Sequence, residues 1–150
     1  MIITFCGHSR LAKDSVDEIS EKVLQVLKSI NTDEQILFYL GDYGQFDYIA
    51  MKCCKKYKEI NENCKLCFIT PYLNDTYLKN KSCDIYDETI YPEIENVPLK
   101  YAILKRNEWM VASCDLLVAY VDFTWGGAIK TLEYAHRKGK SYINLGSCKL

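Results

Sequence analysis

Apolar residues along this chain fall into two alternating rhythms. Five short, nearly continuous apolar runs rich in β-branched and aromatic residues occur at 2–6 (IITFC), 35–40 (QILFYL), 65–70 (KLCFIT), 115–121 (DLLVAYV) and 141–145 (SYINL). Runs lacking a regular polar face suit strands covered on both sides, as in a parallel sheet. Between them the spacing lengthens to that of a helix. Over 14–31 the apolar residues 16, 19, 23, 26, 27 and 30 lie on one helical face, and Ser15 and Glu18 have the spacing of a capping box. Further helices are predicted over about Phe46–Glu59, Leu99–Ser113 and Gly127–Lys138, with Gly139 suited to follow the last C-cap. Strands alternating with helices predict a single α/β doubly wound domain over 1–150, with a five-stranded, mainly parallel sheet.

The segment 71–98 breaks this rhythm. It holds all three prolines and a cluster of tyrosines, asparagines and acidic residues. It reads as a long irregular connection, of the kind that covers a site or moves.

Composition narrows the classes. A formal net charge of −1 gives no general electrostatic hold on nucleic acid or on an anionic membrane, so neither is expected as a partner. No apolar run approaches the ~20 residues that span a bilayer. The opening MIITFCGHSR reads as a first strand rather than a signal peptide, and a cytoplasmic location is expected. Eight cysteines invite a zinc reading through Cys53, Cys54, Cys64 and Cys67. However, Cys53 and Cys54 point in different directions on a helix, and Cys64 and Cys67 face opposite sides of a strand. Small buried thiols are the better reading, and no metal or cofactor is expected.

Candidate chemistry lies where strands hand over to helices, because ligands of open parallel sheets bind beyond the carboxyl ends of the strands. Gly7-His8-Ser9-Arg10 follows the first run, and Gly41-Asp42-Tyr43-Gly44 with Asp47 follows the second. Thr124-Trp125-Gly126-Gly127 follows the fourth. Glycines let a ligand approach the backbone, and helix N-termini offer free N–H groups to an anion. A phosphorylated small ligand is therefore expected.

Four stretches, ITFCGHSR, YLGDYGQFDYIA, KRNEWMVASCDLLVAYV and GGAIKTLEYAHRKGKSYINL, together resemble the SLOG superfamily of Rossmann-like nucleotide-binding domains, and most nearly its short bacterial YpsA-like members. The resemblance covers most of the chain except 71–98. It implies that the first and fourth runs are adjacent at the centre of the sheet. The same superfamily contains phosphoribohydrolases, often called lysine decarboxylase-like, which cleave the N-glycosidic bond of nucleoside 5′-monophosphates. Against their pattern, Arg106 and Met110 match an Arg-Lys-x-x-Met motif with Asn107 in place of Lys. Gly126, Gly127 and Glu133 match Pro-Gly-Gly-x-Gly-Thr-x-x-Glu, while Trp125 replaces the Pro, Ile129 replaces the third Gly, and Thr131 falls one position late. The resemblance thus implies Glu133 and Arg106 as catalytic residues if the protein is an enzyme.

The remaining candidates carry two readings each. His8 is either an acid–base or phosphate-binding group or a hydrogen-bonded turn residue. Asp42 suits an Asx turn, and Asp47 suits the first turn of a helix, as well as either suits a ribose. Thr124 and Thr131 are hydroxyl donors to phosphate, or Thr124 is a cap. Trp125 either stacks on a base or plugs the core. The leading function is a module that senses or sequesters a nucleotide-derived, phosphorylated, ribose-containing ligand. The alternatives are an N-glycosidic hydrolase of nucleotides and a non-binding scaffold. A homo-oligomer is left open.

Overall fold

The computed structural model describes residues 1–81 and 84–150. Cys83, one of the eight cysteines, lies outside the described residues. The five apolar runs become strands β1 (Ile2–Gly7), β2 (Ile36–Leu40), β3 (Cys64–Ile69), β5 (Leu116–Tyr120) and β6 (Tyr142–Asn144). Helices α1 (Val16–Ser29), α2 (Gln45–Ile60), α4 (Ala102–Ser113) and α5 (Gly127–Arg137) follow the predicted spacing.

The sheet is parallel and doubly wound as expected, and one expectation about it is corrected. With β4 (Glu88–Ile90) it has six strands rather than five, in the order β4-β3-β2-β1-β5-β6, and every pairing is parallel. The additional strand lies within the 71–98 connection, as does a short helix, α3 (Asp75–Lys81). That connection is therefore only partly irregular. β4 has no apolar signature, since Glu88 and Thr89 are exposed at the sheet edge. Its strand form comes from pairing with β3, where Phe68 registers with Thr89, and from Thr70 N–H donating to the Ile90 carbonyl.

Side chains alternate across the central strands and give each face its own core. Ile3 and Phe5 of β1 and Val118 of β5 pack under α1 and α2, through Ile19, Val23, Leu27, Phe46, Ile49 and Cys53. Cys6, Leu117 and Ala119 point the other way, under Val111 of α4 and Ile129, Leu132 and Ala135 of α5. β1 and β5 are adjacent at the centre, with Phe5 opposite Val118 and Gly7 opposite Tyr120. Successive strands run outward from β1 to β4, and the chain then crosses back to β5. The order reverses between β1 and β5, so the loops after these two strands part there and leave a crevice.

Two details of the helices differ in instructive ways. The capping box at Ser15 and Glu18 does not form. A 3-10 turn (Lys13–Ser15) precedes α1, Ser15 is itself near-helical, and its hydroxyl donates to the Ala12 carbonyl. Glu18 pairs instead with Lys22. By contrast, α5 ends as expected: Gly139 has φ +64°, its N–H donates to His136, and Lys140 N–H donates to Ala135. This is the Schellman pattern, and it requires the left-handed backbone that glycine adopts without penalty.

The described cysteines are all free thiols, and Cys53, Cys54, Cys64 and Cys67 are buried. Among the described residues no group of three His, Cys, Asp or Glu side chains is placed to hold a metal ion. No helix among them is long and apolar enough to cross a membrane.

Candidate functional site

The switch-point crevice has a volume of about 320 Å³. One wall is the loop after β1, Gly7 to Arg10. The other is the loop after β5 and the start of α5, from Phe123 through Gly127 to Thr131. Asp47 and Arg106 also line it. Of the predicted residues, Gly7, His8, Ser9, Arg10, Asp47, Arg106, Trp125, Gly126, Gly127 and Thr131 come together here. Gly41, Asp42, Gly44, Thr124 and Glu133 are not among its lining residues.

The two helix N-termini that the glycine pattern suggested are not equivalent. At α2, Gly44 (φ +93°) brings the chain so close to the first loop that a Cβ would sit 2.6 Å from the Ser9 Cα. The first N–H groups of α2 then donate to protein carbonyls, Gln45 to Ser9 at 2.9 Å and Phe46 to His8 at 3.3 Å. The Gln45 side-chain carbonyl accepts from Leu11 N–H. This end is closed by the protein itself. Asp42 also belongs to the turn: it takes a left-handed φ of 50°, and Lys81 of α3 donates to its carbonyl at 2.8 Å. Gly41 makes room for Asp47 and Arg106, each within about 3 Å of where its Cβ would be.

The start of α5 is open. Gly126 has the same backbone as Gly44 (φ +92°), yet a Cβ on Gly126 or Gly127 would meet nothing within 4 Å. No side chain caps the helix. The N–H groups and dipole of its first turn therefore face the crevice edge, where they favour an anion. Thr131 is buried and donates back to the Gly127 carbonyl at 3.0 Å, which holds this turn rather than offering its hydroxyl outward.

The wall opposite is pinned through Asp122 and His8. Asp122 N–H donates to His8 Nε2 at 2.8 Å, so this ring nitrogen is an acceptor and the ring is held neutral. Burial pushes the His8 pKa down, and Asp122 opposes the shift. Burial would raise the Asp122 carboxyl, but hydrogen bonds from Ser147 and Tyr120 outweigh it and leave the carboxyl below its ordinary range. His8 is thus a hydrogen-bonded turn residue that also lines the crevice.

Arg106 is 1% exposed. Nη1 donates to the carbonyls of Gly41 (2.8 Å) and Ile69 (2.7 Å), and Nε donates to Asn107 Oδ1 (2.8 Å). It ties the end of β2 to the end of β3. Burial lowers its pKa while the charge of Asp47 pushes back. Asp47 accepts from Tyr43 N–H at 2.9 Å, and desolvation carries its carboxyl from an ordinary 3.8 up to about 6 against the pull of Arg106. Cys6, on the same floor, has its thiol pushed far up by burial and then by Asp47, so it stays protonated and unreactive. Glu133 is exposed on α5, two turns beyond the open end. The Arg106–Glu133 pairing implied by the hydrolase pattern is not assembled: one is engaged by backbone carbonyls, and the other is outside the crevice lining.

Phe123 is the site residue that sequence reasoning passed over. Its ring stacks on His8, with centroids 3.6 Å apart and planes 9° from parallel, and on Trp125 at 4.1 Å and 23°. The F-T-W spacing in a strand-to-helix loop was its only signal.

The charge of Asp47 has a measurable consequence. The folded protein favours the protonated carboxyl, so this group's contribution to stability is fully present below about pH 3.8 and is lost as pH rises through about 6. Asp47→Asn keeps an acceptor for Tyr43 and lacks this loss. Its stability relative to wild type should rise by about 2 kcal/mol between pH 4 and pH 7, at 1.36 kcal/mol per unit discounted for water in the crevice. His8 titrates in both proteins and cancels from the difference. Paired urea titrations across that range check it, and parallel pH profiles would show that the carboxyl is not perturbed.

A doubly wound α/β domain with one crevice at its switch point is a binding fold in the general sense. Solved structures share it. The chain is similar to DNA processing protein A from Streptococcus pneumoniae, with a TM-score of 0.67, 15% identity, and coverage of 99% of this chain and 51% of that one. DNA processing protein A from Helicobacter pylori gives 0.65 and 14%, covering 100% and 66%. The structure of TM1055 gives 0.56 and 13%, covering 94% and 71%. At these identities the likeness shows the fold, and the chain spans about half to two thirds of the length of the two DNA processing proteins. No family model and no curated protein matches the sequence. The expectation that nucleic acid is excluded as a partner is corrected. The Helicobacter pylori protein, which has this fold, binds single-stranded DNA. A net charge summed over a whole surface does not measure the local field and aromatic faces that a strand meets.

Proposed function

We propose that this chain is a SLOG-type binding module whose crevice takes a nucleotide-derived, phosphorylated, ribose-containing ligand. The observation that carries the reading is the uncapped start of α5, open at Gly126 and Gly127 where the equivalent end of α2 is closed by His8 and Ser9. The sequence resemblance to SLOG domains, nearest to YpsA-like proteins, and the shared fold support it. A crevice of this size suits one mononucleotide-sized ligand. Turnover is expected to be weak or absent, because Glu133 stands outside the crevice lining and Arg106 is engaged in holding two strand ends.

A second reading is that the same crevice takes one nucleotide unit of a single strand. The ssDNA-binding relative and the exposed Trp125 favour it.

Thermal unfolding with nucleoside 5′-mono- and diphosphates, NAD and a short oligothymidylate tests both readings. A ligand at ~100 times its Kd adds about 2.7 kcal/mol, a rise of roughly 5–10 °C for a domain of this size. Gly127→Ala is the control. Its backbone is unstrained and its Cβ meets nothing, so the variant should unfold near wild type yet lose the ligand response. No shift with any compound would end this reading. Steady release of free base from a monophosphate would move the protein to the hydrolase class.

A further inference from the structure

We propose that the outer face of Trp125 is a stacking platform for the nucleobase of the ligand; this rests on the crevice reading above and adds a second point of recognition to it. Three rings are layered from the interior to the crevice. His8, 6% exposed and fixed through Nε2 to the Asp122 backbone, is the base of the stack. Phe123 lies on it, nearly parallel, and Trp125 lies on Phe123. Trp125 is 67% exposed and lines the crevice, so it does not plug the core. Phe123 covers one face of the indole, and the rest of the side chain is largely exposed at the crevice lining.

A ring already held parallel to a fixed neighbour loses little freedom when a further ring is added. Offset stacking continues naturally from such a layer, and a planar, electron-poor heteroaromatic base fits it. Every base has a π-face, so the platform selects for the presence of a base more than for its identity. The shared chemistry admits two sources, a free nucleotide and one unit of a single strand.

The chain has two tryptophans, and the other, Trp109, stacks on Tyr39 away from the crevice. A Trp109→Phe background therefore leaves Trp125 as the only indole. AMP and GMP, ribose 5-phosphate and a short oligothymidylate are titrated into it. AMP or GMP should quench the emission, while ribose 5-phosphate binds without quenching. Trp125→Ala should weaken the nucleotide roughly ten- to a hundredfold and leave ribose 5-phosphate unchanged, with Trp125→Phe restoring most of the loss. Quenching by the oligothymidylate as well supports the platform with a strand as source. The platform is overturned if nucleotide and ribose 5-phosphate bind equally and Trp125→Ala changes neither, or if nucleotide binds with unaltered emission. If none of these probes binds, the crevice reading is lost and the platform with it.

Discussion

Arg106→Ala should cost about 3–5 kcal/mol of folding stability, the range for removing one member of a buried charged hydrogen-bond network. An arginine on a solvated helix face would cost under about 0.5 kcal/mol. The difference arises because the guanidinium satisfies two carbonyls, those of Gly41 and Ile69, at the ends of neighbouring strands, and Asn107 holds its third donor. Truncation leaves both carbonyls without that donor and leaves the Asp47 carboxyl without its nearby opposing charge. Arg106→Lys should recover little, since a flexible ammonium does not reproduce a planar fork reaching two carbonyls at once. Urea titrations of the three proteins at neutral pH measure this. A loss under 1 kcal/mol would mean that the β2 and β3 ends do not depend on Arg106. Any ligand affinity lost in Arg106→Ala must accordingly be read against stability, because the crevice floor is built on this side chain.

Gly44→Ala should be nearly as damaging, at about 3 kcal/mol or more, from two separable causes. The backbone (φ 93°, ψ −179°) lies in a region that is close to glycine-only, worth roughly 1–3 kcal/mol for any other residue. The new Cβ would also press on the Ser9 Cα, a backbone atom that cannot rotate away. Displacing Ser9 disturbs the two carbonyls that cap α2. Gly126→Ala separates the causes, because Gly126 shares the conformation (φ 92°, ψ −173°) and has open space around it. It should show the backbone cost alone, about half that of Gly44→Ala. Equal losses in the two variants would show that the contact with Ser9 contributes nothing. Both are read from denaturant midpoints with unchanged slope.

The glycines illustrate how far the amino-acid sequence reaches. Their clustering after strands marks where the chain must turn sharply, and the turns occur there. Nothing in a run of neighbours says whether a missing side chain makes room for protein or for ligand. Gly7 accommodates Phe46, Gly41 accommodates Asp47 and Arg106, and Gly44 accommodates Ser9, while Gly126 and Gly127, like Gly139 at the far end of α5, have nothing within 4 Å of an added Cβ.

The apolar rhythm by itself determined the five strands other than β4, the four longer helices and their parallel, doubly wound arrangement. Burial on two faces demands unbroken apolar runs, and burial on one helical face demands the 3.6-residue period. These are local constraints, written within a few residues of where they act. β4 escaped them because Glu88, Thr89 and Ile90 carry no such pattern and become a strand only by pairing with β3, some twenty residues earlier. The site was decided in the same way, by contacts across long stretches of chain. His8 meets Asp122 at a separation of 114 residues, and Arg106 meets Gly41 at 65. Whether His8 was an acid–base group or a pinned turn, whether Trp125 faced the core or the crevice, and whether Arg106 was on the surface or in the floor depended on which strands lie side by side. Only the folded sheet, with β1 against β5, brings those residues together, because each partner is supplied by a different crossing of the chain.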